Sequence, residues 1–167
     1  MSTLTIPDSL SKLVYFLNDL DSRVPIEGLE KHLSELEVTL DDLEPFLHFG
    51  AHCYQRNLIC QNQWYELLCI CWRNEQKSLI HDHAHSTCGL RIISGAAVET
   101  VFEQQPDGRV RPVREGHYVE GQVCCTQDAD IHQVYNVQPG GEDLVTLHIY
   151  SPPLHDMCTY ELADDCG

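Results

Sequence analysis

The chain has 167 residues, about one domain's worth, and its 10 Lys plus Arg against 26 Asp plus Glu give a formal net charge of −16. A field of that sign repels phosphate backbones and anionic headgroups, which excludes nucleic acid and membrane surfaces as partners. The composition, 43% hydrophobic and 22% charged, is that of a globular protein, and no apolar run approaches the ~20 residues of a membrane-spanning helix.

Up to about residue 49 the apolar spacing is helical. Leu10, Leu13, Val14, Leu17 and Leu20 recur behind Ser9. Ile26, Leu29, Leu33 and Leu36 recur behind Pro25, whose fixed φ suits a first helical turn. A third short helix is expected from Thr39, with Asp42 three residues on as a capping box. From Cys53 the period changes to two or to short apolar runs, broken by turn signals at 61–63, 106–108, Gly121 and 139–141. This predicts strands at 54–60, 64–72, 78–83, 88–94, 96–103, 110–114, 117–119, 122–125, 131–137 and 143–150. The pattern is mainly β: one domain over 1–167, with a helical layer (1–49) against an antiparallel sandwich or small jelly-roll barrel (53–158).

The residues from Met1 to Ser9 lack the basic start and apolar stretch of a secretory signal, so a cytosolic, reducing location is expected. Nine cysteines, with no CxxC pair, argue against a disulfide framework or zinc ribbon, and most are expected to be buried as small hydrophobes. The histidines are more telling. His81 and His83 stand at i and i+2 near the end of a predicted strand, where both side chains share a face and could ligate one metal. In 143–150, Val145, Leu147 and Ile149 alternate with Thr146, His148 and Tyr150. One face of that strand is therefore apolar, and the other carries a hydroxyl, an imidazole and a phenol that need partners.

His81-Asp82-His83, with Cys88 and Gly95 downstream, resembles the first cupin motif, except that Cys88 stands where that motif has Glu. Gly121, His132 and Asn136 resemble the second, with Gln127 and Ala129 departing from its Pro and Gly. The resemblance implies a cupin jelly-roll β-barrel holding a metal on His81, His83 and His132. Three neutral imidazoles leave a divalent ion its full charge and open positions for an anionic, bidentate ligand. A zinc ion so held could instead activate water, so ligand count alone does not separate an oxygenase from a hydrolase.

From about Tyr54 to Cys158 the chain is similar to the thiol dioxygenases, in particular the cysteine dioxygenases. The matching residues are Tyr54-Gln55-Arg56-Asn57-Leu58, His81-Asp82-His83 with Ser86 and Cys88, His132 with Asn136, and Thr146 to Pro153. The resemblance implies Fe(II) as cofactor, L-cysteine and O2 as substrates and cysteine sulfinate as product. It implies that Arg56, in the segment with Tyr54, binds the substrate carboxylate. Thr146, His148 and Tyr150 become a hydrogen-bonded relay, and Cys88 is joined to Tyr150 by a thioether. Members that prefer 3-mercaptopropionate carry Gln and Gly at the Arg56 and Cys88 positions, which points here to L-cysteine. The alternatives are a dioxygenase for another small thiol, such as 3-mercaptopropionate or cysteamine, or a non-enzymatic metal-binding cupin. A monomer is expected, as is a cis Ser151-Pro152 bond. The turn after Pro153 leaves open whether Met157 or Cys158 lines the pocket. Trp72, His85, Thr87, His117 and His155 are expected to be structural or on the surface.

Overall fold

A computed structural model of the protein describes residues 5–127 and 130–163. The N-terminal layer follows the periodicity of its leucines. Helix α1 (Ser11–Asn18) grows out of a 3-10 turn at Asp8–Leu10 and buries Leu13, Val14 and Leu17. Helix α2 (Ile26–Ser34) starts directly after Pro25 and buries Leu29 and Leu33. The third helix is a 3-10 element, Asp41–Phe46. The capping box ahead of it is formed in both directions: Thr39 N–H and Oγ1–H donate to Asp42 Oδ2 at 2.8 and 2.9 Å, and Asp42 N–H donates to Thr39 Oγ1 at 3.3 Å.

Eight strands follow: β1 (Gln55–Gln61), β2 (Glu66–Trp72), β3 (Thr87–Ser94), β4 (Ala96–Gln104), β5 (Val110–Val119), β6 (Val123–Gln127), β7 (Ile131–Tyr135) and β8 (Leu144–Ser151). They form two antiparallel sheets, in the orders β1-β2-β8-β3-β6 and β5-β4-β7. This is a jelly-roll arrangement whose ladders do not close into a continuous barrel.

Two predicted strand boundaries are corrected. Residues 78–83 are not a strand. The segment meets the smaller sheet through isolated contacts and not a ladder: Ser78 exchanges hydrogen bonds with Val134 and accepts from Gln133, and His81 forms an isolated bridge with His132, as Lys77 just before the segment does with Tyr135. Asp82 Oδ1 accepts from Ala84 N–H at 3.0 Å, and Ala84 has φ 52°, so the side chain bends the backbone just where a ladder would continue. Conversely, 110–114 and 117–119 are one strand, β5. It lies at a sheet edge, where Pro112 is tolerated, and its ladder with β4 absorbs a register shift between Val101 and Phe102.

The central strands β2 and β8 of the larger sheet are buried on both faces. Leu67, Cys69 and Cys71 of β2 and Val145, Leu147 and Ile149 of β8 pack under α1 and α2. Leu68, Ile70 and Trp72, with Leu90 and Ile92 of β3, meet Ala97 and Val134 of the other sheet. The cysteines are less buried than expected. Among the described residues only Cys69, Cys71 and Cys88 are buried, whereas Cys60, Cys124 and Cys125 lie on the edge strands β1 and β6 and stay half-exposed, and Cys53 and Cys158 are exposed. No helix among the described residues is long and apolar enough to cross a membrane.

Gly89 of β3 lies directly beneath α2, and a Cβ there would stand 2.6 Å from Leu33 Cδ1 and 2.8 Å from Leu29 Cδ2. Overpacking of this kind costs ~1–3 kcal/mol. Gly89→Ala is therefore expected to lower the melting temperature by several degrees, since each kcal/mol is worth about 2–4 °C at this size. An unchanged melting curve would mean that α2 is not held this close to the sheet.

Candidate metal centre and substrate cleft

The alternation of β8 decides where the polar groups go. Its apolar face lies under the helices, so Thr146, His148 and Tyr150 point between the sheets, all buried. There they partner one another. His148 Nε2 is 3.0 Å from Thr146 Oγ1 and His148 Nδ1 is 3.2 Å from Tyr150 Oη. Trp72 Nε1–H donates to Thr146 Oγ1 at 3.0 Å, which extends the chain by one member. Burial keeps the His148 imidazole well below its ordinary pKa and the Tyr150 phenol well above its own, so both are neutral.

The histidines expected to act together do meet. His81 and His132 exchange backbone hydrogen bonds, 3.0 Å from His81 N–H and 2.9 Å from His132 N–H, and this fixes their side chains next to each other. His83 completes the group, with ring centroids 5.3 Å from His81 and 4.6 Å from His132. One ring nitrogen from each lies within 4.8 Å of the others. The outer nitrogens are held from behind. His81 Nδ1–H donates to Leu79 O at 2.8 Å, and His132 Nδ1 lies 2.7 Å from Glu99 Oε1. Burial, and then repulsion from His132, pushes the His81 pKa down to about 4, and the same causes push His83 to about 2. His81 and His83 are therefore neutral imidazoles, the form that ligates a metal.

His83 supplies the test of whether a metal fits. Both of its ring nitrogens are buried and have no hydrogen-bond partner. Buried polar atoms are almost always paired, and a divalent cation is the group that would use such a lone pair between two other imidazoles. Glu99 is itself a buried carboxylate. Burial raises its pKa, but hydrogen bonding to His132 and Tyr118 outweighs this and holds it below the usual range, so an anion backs the His132 ring.

A tight cleft opens beside the triad, with about 10 Å³ open to a water-sized body. Arg56, Tyr54, Trp72, Tyr150 and Met157 line it together with His81 and His132. The Arg56 guanidinium carbon stands 5.3 Å from the Tyr150 ring centroid, and Tyr54 stacks on Trp72 with centroids 4.3 Å apart. Cys88 and Tyr150 are direct cross-strand partners in the β3–β8 ladder, both buried. The turn is settled in favour of Met157, which lines the cleft, while Cys158 is exposed and donates its N–H to Asp82 Oδ1 at 3.1 Å. Ser151-Pro152 is cis, as expected.

Trp72 is the clearest departure from the sequence reading, which left it without a role. Glu66, Glu99 and Met157 also belong to the surroundings of the site. Strand β2 is buried along its whole length, so its sequence carries no alternation to show that Glu66 and Trp72 face inward. Among the others without a role, Thr87 is buried and bonds Val24 O at 3.2 Å, and His85, His117 and His155 are exposed, as expected.

The family model for cysteine dioxygenase type I matches residues 2–163 of this chain. The chain is similar to cysteine dioxygenase type 1 of Rattus norvegicus, 32% identical over 159 residues that cover 91% of this chain and 78% of the relative. The protein of that name from Danio rerio is 29% identical over 163 residues, covering 93% and 80%. The one from Homo sapiens is 30% identical over 158 residues, covering 91% and 78%. Among solved structures, an uncharacterized conserved protein with a double-stranded β-helix domain from Klebsiella pneumoniae superposes with a TM-score of 0.57. It is 16% identical, covering 77% of this chain and 94% of that one. Oxalate decarboxylase from Lactobacillus farciminis superposes with a TM-score of 0.54 at 15% identity, covering 70% and 34%. These two likenesses show the fold.

Replacing His81, His83 and His132 together by Ala is expected to abolish one-to-one metal binding, measured by elemental analysis of the purified protein. Retention of one metal ion per chain would move the metal site elsewhere.

Proposed function

The chain belongs to the cysteine dioxygenase type I family, and from that premise we propose that it is an Fe(II)-dependent thiol dioxygenase. It adds both atoms of dioxygen to the sulfur of L-cysteine, giving cysteine sulfinate. The observation that carries this reading is one narrow cleft lined by Arg56, the Tyr150–His148 pair and two members, His81 and His132, of a buried three-histidine cluster. A non-enzymatic metal cupin has no use for that convergence. The setting we propose is the cytosol, where free thiols stay reduced.

His81, His83 and His132 hold the iron, oriented from behind by Leu79 O and Glu99. When bound, Fe(II) supplies a redox-active Lewis acid that brings a thiolate and dioxygen to one centre. Arg56 anchors the substrate carboxylate through charge-assisted hydrogen bonds and so fixes the orientation of the sulfur. Tyr150 offers a phenol at the cleft wall. Its hydroxyl bonds to His148, which in turn bonds to Thr146, and the indole N–H of Trp72 always donates to Thr146 because it has no acceptor. With His148 neutral, the relay holds a proton at the phenol without placing a charge in the site. Tyr54, Trp72 and Met157 narrow the space beside the triad and limit water there.

Oxygen uptake by iron-loaded protein tests the activity directly, with L-cysteine, 3-mercaptopropionate and cysteamine compared. Arg56→Ala is expected to raise the KM for L-cysteine by roughly one to two powers of ten, since a charge-assisted bond is worth ~1.5–3 kcal/mol. Cysteamine, which lacks the carboxylate, is expected to change far less. Equal losses on both thiols would remove the anchoring role.

Directly opposite residues of an antiparallel pair have Cβ atoms about 4.5–5.5 Å apart, which suits a thioether between Cys88 Sγ and the Tyr150 ring. Its formation removes two hydrogens, with dioxygen as the oxidant. Protein that has turned over is therefore expected to contain a species two hydrogens lighter, which runs faster on a denaturing gel because the loop between 88 and 150 is closed. Cys88→Ser is expected to lose that species and keep its iron. Quantitative recovery of a free-thiol Cys88 peptide from active protein would rule the link out.

A further inference from the structure

The anchor at Arg56 is not a bare cation. Its Nη2–H donates to Glu66 Oε1 at 3.2 Å, and among the described residues this is an ion pair set between a half-buried arginine and a buried carboxylate, with side-chain exposures of 31% and 12%. Glu66 opens β2 in step with Leu68, Ile70 and Trp72, whose side chains lie between the sheets, and it stands across from Tyr150 in the β2–β8 ladder. The same Oε1 accepts from Leu154 N–H at 3.0 Å. One carboxylate oxygen thus joins the arginine to the turn that leads to Met157.

We propose that Glu66 sets the charge preference of the cleft, by turning the carboxylate anchor into an ion pair that suits a thiol with its own ammonium and carboxylate over a thiol with a carboxylate alone. The inference rests on the dioxygenase reading for the identity of its ligands. Its physical basis is charge balance. A lone guanidinium presents a net positive site and favours a net anion such as 3-mercaptopropionate. Paired with Glu66 the site is close to neutral, and a second anion brought to Arg56 is repelled by the carboxylate already there. A zwitterion pays less of that repulsion, because its ammonium offsets its carboxylate. The guanidinium keeps N–H groups for the substrate, since it has five and the contact with Glu66 uses Nη2 alone.

A purely structural Glu66, holding only the turn and the arginine, predicts something different, and Glu66→Gln separates the two. The amide oxygen can still accept from Leu154 N–H and Arg56, with the same shape, so only the charge is removed. The ratio of kcat/KM for 3-mercaptopropionate to that for L-cysteine is expected to rise roughly tenfold in Glu66→Gln, and the ratio for cysteamine to fall, with an unchanged melting temperature. That size is a like-charge term of a few ångströms' range reduced for partial exposure. Unchanged ratios in a folded Glu66→Gln protein would overturn the proposal.

Calorimetric binding of the same three thiols to iron-loaded protein under anaerobic conditions gives the same ratios without turnover. A wild-type protein that binds thiols with the expected preference but takes up no oxygen would refute the dioxygenase reading and leave the role of Glu66 standing. Wild-type protein that binds 3-mercaptopropionate more tightly than L-cysteine would overturn the role of Glu66 without any variant, including the case in which Glu66→Gln fails to fold.

Discussion

Strand β8 is buried from end to end, and the rest of the molecule is arranged around the two different demands of its faces. Val145, Leu147 and Ile149 need apolar cover, which α1 and α2 provide. Thr146, His148 and Tyr150 need hydrogen-bond partners away from water, and each finds one in its neighbour or in Trp72. Because the period of a strand is two, the faces cannot be satisfied separately: slipping the register by one residue would put the imidazole under the helices and a leucine at the cleft. The N-terminal layer therefore bears on the chemistry although none of its residues lines the cleft. It selects which face of β8 points inward.

Charge is organised on two scales that oppose one another. The chain as a whole carries −16, a field that draws cations inward and discourages anions. Inside, His81 and His83 are kept neutral by burial and by repulsion from the neighbouring rings, so their lone pairs are available to a cation at ordinary pH. Arg56 is the local exception, a positive group at the cleft of an acidic protein, and Glu66 tempers it. A substrate that approaches through an acidic field to a half-compensated cation does so most easily with no net charge of its own.

What the sequence made legible is what depends on short-range period. The leucine spacing of α1 and α2, the capping pair Thr39 and Asp42, the two faces of β8 and the neighbouring His81 and His83 are all readable within a window of a dozen residues. The misplaced strand at 78–83 and the divided β5 had the opposite cause. In the first, one side chain, Asp82, overrides an acceptable strand pattern by accepting from Ala84 N–H. In the second, the gap left at Glu115 and Gly116 is continuous ladder, where the two residues pair with Thr100 and Glu99 of β4. Glu66 and Trp72 stayed hidden because β2 is covered on both sides, which erases alternation, and because their partners Arg56 and Thr146 come from other strands. The backing of His132 by Glu99 was hidden for the same reason: it spans the distance between β4 and β7.

Asp82 shows how the metal centre and the cleft wall at Met157 are tied together. It lies between the two histidines of the HxH segment, and its Oδ1 accepts both from Ala84 N–H, which bends that segment, and from Cys158 N–H. Its Oδ2 accepts from Tyr160 Oη at 2.7 Å, while Tyr160 N–H donates to Ile80 O and His81 bridges to Thr159. The tail after Pro153 is thus fastened to the very loop that presents His81 and His83, and Met157, just before the fastened stretch, is held at the cleft. At the other end of that turn, Leu154 N–H is fixed to Glu66. The stretch between Leu154 and Cys158 is anchored at both ends by carboxylates, Glu66 beside Arg56 and Asp82 between His81 and His83, so the position of Met157 at the cleft wall is set by the same groups that shape the site.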